Sequence, residues 1–63
     1  MPVITFDGGK MTKEQKNELV CGFTDVAERV TGIRRDAFVV IIRENDPENI
    51  GSGGELLCDK LKK

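Results

Sequence analysis

The chain has 63 residues, ten basic and eleven acidic, with no His, Tyr or Trp and a formal net charge of -1. That balance excludes a basic nucleic-acid stripe, the lack of His and of any Cys-x-x-Cys spacing excludes a structural zinc site, and no apolar run approaches the ~20 residues of a membrane helix. A single domain of this size, residues 1–63, buries only roughly 60% of the surface of its unfolded chain, so oligomerisation is the expected route to a complete core.

Met1 to Phe6 is rich in β-branched and aromatic residues and predicts a strand, closed by a turn at Asp7-Gly8-Gly9. Pro2 is tolerable there because the first residue of a strand can lack a ladder donor. Thr12 and Gln15 have the Thr-x-x-Gln spacing of a capping box, which predicts a helix beginning at Lys13. Leu19, Val20, Phe23, Val26, Ala27 and Val30 follow on one face of a 3.6-residue period, and Gly32 stands where a left-handed cap would end the helix at Thr31. The continuous apolar run Phe38 to Ile42 predicts a second strand covered on both faces.

Strand, helix and strand make an α+β fold with a β-α-β unit, two parallel strands and one crossover helix. One helix covers one face of that sheet, so the other face requires another copy of the chain. Asn45 to Gly54 reads as a loop, Glu55 to Cys58 as a short C-terminal arm or hairpin, and Asp59 to Lys63 as a frayed charged tail. With no signal-peptide pattern, the chain is expected in the cytoplasm, with Cys21 and Cys58 unpaired.

Without His, and with no base beside a Ser or Cys, triad chemistry is excluded. Gly51-Ser52-Gly53-Gly54 follows the second strand and opens no helix, so it predicts a turn with positive φ angles rather than a phosphate cradle. Pro2 is the remaining candidate. Initiator Met is generally trimmed before a small residue, which would leave a secondary amine, and an apolar or cation-lined pocket would lower its pKa towards that of a usable base.

A Met-Pro start, Thr12-Lys13-Glu14-Gln15-Lys16, Val39-Val40-Ile41-Ile42-Arg43-Glu44 and Gly51-Ser52-Gly53-Gly54-Glu55-Leu56 together resemble the 4-oxalocrotonate tautomerase family over nearly the whole chain. The resemblance implies a homohexamer built as a trimer of dimers, no cofactor, and an amino-terminal proline acting as acid and base in keto–enol tautomerisation. It also implies departures. Lys10 stands in for the first pocket arginine, Val39 replaces the second, and Ile50 replaces the loop aromatic. Arg35 and Arg43 are the cations that could compensate. The resulting expectation is an isomerase of a small 2-oxo or 2-hydroxy-enoic monoacid, with Pro2 as the base and Lys10, Arg35, Arg43, Val39 and Ile50 around the substrate. The alternative is a non-enzymatic oligomer of the same fold, which the loss of a cation at Val39 favours. Dehalogenation or hydrolysis through the same Pro2 would leave the same sequence signature.

Overall fold

The computed structural model describes residues 1–61. Strand β1 spans Val3–Gly8, helix α1 Lys13–Thr31 and strand β2 Val39–Glu44. The two strands pair in parallel, from Val3 opposite Val39 to Gly8 opposite Glu44, so the β-α-β unit is as the sequence predicts. Both ends of α1 follow from local chemistry. The Thr12 hydroxyl accepts the Gln15 N–H at 3.1 Å, the Gln15 side chain accepts the Thr12 N–H at 3.0 Å, and Gly32 closes the helix at φ 75° with its N–H on Glu28.

Strand β1 differs from its expected bounds. Asp7 and Gly8 lie in the strand rather than in a turn, because β2 runs on through Arg43 and Glu44 and offers them ladder partners. A 3-10 turn at Arg35–Ala37 takes up Phe38, whose N–H caps Arg35, and β2 begins one residue later than the apolar run does. Beyond β2 the chain forms a second 3-10 turn at Pro47–Asn49, a two-residue hairpin of β3 (Gly51–Ser52) with β4 (Glu55–Leu56), and a short helix α2 at Leu57–Leu61. The positive φ angles of Gly53 and Gly54, 64° and 84°, make the hairpin turn. Asp59, Lys60 and Leu61 are therefore helical rather than frayed, while the rest of the expected tail, 62–63, lies outside the described residues.

Ile4, Phe6, Val40 and Ile42 point towards α1, where Phe6 and Phe23 stack at a ring separation of 5.9 Å. Period two then places Val3, Thr5, Val39 and Ile41 on the opposite face, which nothing covers. No hydrophobic side chain is buried among the described residues; Thr24, 8% exposed, is the one buried side chain, with its hydroxyl donating to the Val20 carbonyl at 2.8 Å. The apolar residues of α1 thus serve two faces. Phe23 stacks on Phe6 and Thr24 is buried, whereas Leu19, Gly22 and Val26, roughly a third of a turn away, open with Met11 and Phe23 onto a surface groove, and Val20 is 38% exposed. Val26 and Val30, expected in the buried stripe, are 52% and 71% exposed.

The radius of gyration is 15.3 Å, against about 11 Å for a compact domain of this length. The described residues are elongated, 45 × 24 × 15 Å, and leave an apolar sheet face bare. No helix among the described residues is long and apolar enough to cross a membrane.

Candidate functional site

Pro2 lies immediately before β1, half-buried, and its carbonyl accepts the Val39 N–H at 3.0 Å. This bond fixes Pro2 to the start of β2 without using its nitrogen. Met1, 89% exposed, packs on nothing that its removal would leave empty. Val39 sits beside Val3 on the uncovered face, so two apolar side chains follow Pro2 at this end of the sheet.

The structure separates the other candidates into two groups. Arg35 belongs to the Pro2 end of the sheet, in the turn that leads into β2. Its guanidinium Nη1 lies 2.7 Å from Asp25 Oδ1 and 3.4 Å from Glu28 Oε1, and the hydrogen bond and charge of Asp25 raise its pKa above the ordinary arginine value. Lys10, Arg43 and Ile50 belong to the other end. Six residues of β1 at about 3.3 Å each put roughly 20 Å between Pro2 and the loop that carries Lys10, far beyond the reach of a lysine side chain. Arg43 stands opposite Asp7 with a loose contact of 3.9 Å, on the same uncovered face as Val39 and Ile41. Ile50 is half-buried at the root of the hairpin, where its carbonyl accepts the Leu57 N–H at 2.7 Å.

The loop of Lys10 is braced by a residue with no signal in the local sequence. Glu44, at the end of β2, accepts the Met11 N–H at 3.0 Å and pairs with Lys16 at 3.1 Å. Its carboxyl is held below the usual glutamate range, first by the Met11 N–H and then by Lys16. The Asn45 N–H on the Gly8 carbonyl, 2.7 Å, closes the same corner. Lys10 makes no ion pair among the described residues, so of the three candidate cations it is the one left available. No group of His, Cys, Asp and Glu among the described residues could hold a metal ion.

A carboxylate whose folded pKa is lowered stabilises the fold above its unfolded pKa and ceases to do so as pH falls through the folded value. Glu44→Gln is therefore expected to lower the urea midpoint at neutral pH, with the gap to the native chain closing as pH falls through the lowered pKa of Glu44. Equal midpoints at neutral pH would show that the brace contributes nothing.

The described residues thus form a two-stranded parallel β-α-β unit with a proline before β1 and a Gly-rich hairpin after β2. Residues 2–60 match the family described as "Tautomerase enzyme", and the chain belongs to that family. It is 41% identical over 49 residues, 78% of this chain and 72% of the relative, to a probable tautomerase of Helicobacter pylori (strain ATCC 700392 / 26695). Among solved structures it is similar to YwhB, a homologue of 4-oxalocrotonate tautomerase, at 30% identity and a TM-score of 0.85, covering 92% of this chain and 97% of that one. A chain studied for trans-3-chloroacrylic acid dehalogenase activity matches at 34% identity and a TM-score of 0.76, covering 87% of this chain and 97% of that one.

Proposed function

We propose that the chain is a tautomerase subunit that interconverts the enol and keto forms of a small 2-oxo monoacid, with Pro2 as acid and base after loss of Met1. The observation that carries the reading is Pro2 itself, anchored through its carbonyl to Val39 while its nitrogen is free of any structural duty. The free amine takes the enol hydroxyl proton, the C2–O bond becomes a carbonyl, and the prolinium returns a proton to C3. Protons and electrons balance, and no cofactor takes part.

The enolate that forms between those two transfers needs a cation. Within one protomer Lys10 stands at the far end of the sheet, so the cation is supplied by a neighbouring protomer docked on the uncovered sheet face. This makes the site composite and assembly a condition of activity, with a homohexamer as the expected form. Arg43 and Ile50, at the same end as Lys10, would arrive with it. Ile50 would exclude water, and Arg43, tied loosely to Asp7, would supply a second positive charge at the rim. Val39 offers the substrate's distal group an apolar wall instead of a second carboxylate clamp, which is why a monoacid fits.

The test is the rate of ketonisation of phenylenolpyruvate against that of a dienol diacid. The expected result is a kcat/KM for the monoacid at least about tenfold higher, since an unpaired second carboxylate against Val3 and Val39 costs more than 1.4 kcal/mol. A preference for the diacid would overturn the assignment of Val39. A second reading, addition of water to an unsaturated acid by the same Pro2, draws support from the likeness to the dehalogenase chain. Release of halide from a 3-chloroacrylate faster than ketonisation would favour it, and no turnover of either kind would favour a non-enzymatic oligomer.

A further inference from the structure

Arg35 is one of the cations that sequence alone offers to the substrate, and its surroundings give it a different task. The turn it opens lies against α1. Its backbone N–H donates to Glu28 Oε2 at 3.0 Å, while its guanidinium reaches Asp25 at 2.7 Å and the other oxygen of Glu28 at 3.4 Å. Main chain and side chain of one residue are thus held by two carboxylates one helical turn apart. Inside the turn, the Ala37 N–H donates to Arg34 at 3.0 Å and the Phe38 N–H to Arg35 at 3.2 Å. The next residue, Val39, places its N–H 3.0 Å from the Pro2 carbonyl.

We infer that Arg35 is a positioning residue for Pro2: its anchorage on Asp25 and Glu28 fixes the turn, the turn fixes Val39, and the Val39 N–H holds the Pro2 carbonyl and so the direction of the Pro2 amine. The inference rests on the reading of Pro2 as the base. A role in gripping the substrate fits the electrostatics poorly. Asp25, Glu28 and Arg35 together carry a charge of -1, which repels an anion, and a substrate carboxylate would have to displace one of two carboxylates already in hydrogen-bonding contact. The neighbouring Arg34 and Asp36, 3.4 Å apart, neutralise each other and do not change that sign.

The variant that separates the two roles is Asp25→Asn with Glu28→Gln, on an α1 surface where loss of charge leaves the fold's apolar contacts untouched. Both readouts are taken on the assembled, Met-free protein. If Arg35 positions Pro2, kcat falls by roughly 10- to 100-fold, the loss expected of a misplaced base, while KM for the monoacid stays constant. Hydrogen exchange at the Val39 amide accelerates in parallel, a readout that does not depend on activity. If Arg35 grips substrate, freeing it from its carboxylates lowers KM and leaves kcat intact, and the inference fails. It also fails if Val39 exchange is unchanged, or if that exchange accelerates while kcat does not move. Failure of the Pro2 reading looks different, since the unsubstituted protein would then turn over equally with and without Met1.

Discussion

Ile41→Asp is expected to abolish assembly and, with it, catalysis. Ile41 stands in the middle of the sheet face that α1 does not reach, flanked by Val39 on its own strand and opposite Thr5, and it is 40% exposed in the protomer. Covering the part of this side chain still exposed stabilises an interface by about 1 kcal/mol, and a symmetric contact counts it at least twice. A buried, unpaired carboxylate reverses the sign and adds a desolvation penalty of several kcal/mol. Because no hydrophobic side chain is buried among the described residues, the free protomer has little to hold it together. Sedimentation should therefore show a monomer, far-UV circular dichroism a reduced helix content, and enol ketonisation should be absent. An assembly of native size and melting temperature would show that this face is not the interface.

The same reasoning explains what could be read from the sequence. Helix α1 was legible to its last residue because its limits are set locally, by the Thr12 and Gln15 box and by Gly32. The parallel pairing was legible because a helix between two apolar segments leaves few other topologies. Strand ends were not, since Asp7 and Gly8 join β1 through partners 36 residues away in the chain. Two faces of α1 merged into one stripe, because a 3.6-residue period does not say how many neighbours a helix has.

Of the candidate site residues, Pro2 and Val39 are brought together, and their hydrogen-bonded contact is a consequence of the register. The separation of Lys10 from Pro2 by the length of β1 was not read from the sequence, because it follows only once the intervening residues are extended as a strand. Glu44, Asp25 and Glu28 escaped notice for one physical reason. Their partners, Met11, Lys16 and Arg35, are brought to them by tertiary folding and not by local spacing.

The central claim is that the nitrogen of Pro2 does the proton transfer, and it can be tested by changing that nitrogen alone. Loss of Met1 leaves a secondary amine, whereas retention leaves a tertiary amide with no basic lone pair. Since Met1 is 89% exposed in the protomer, neither form should differ in the protomer's fold, and sedimentation of both preparations checks that they assemble alike. Only the unprotonated amine can take a proton, so activity should rise with pH as the free base forms. The measurement is ketonisation of phenylenolpyruvate by two preparations of the assembled protein, one Met-free and one with Met1 retained by blocking its processing, each verified by intact mass. The Met-free protein should be active and the Met-retained protein inactive at every pH; equal rates in the two would contradict the assignment of Pro2.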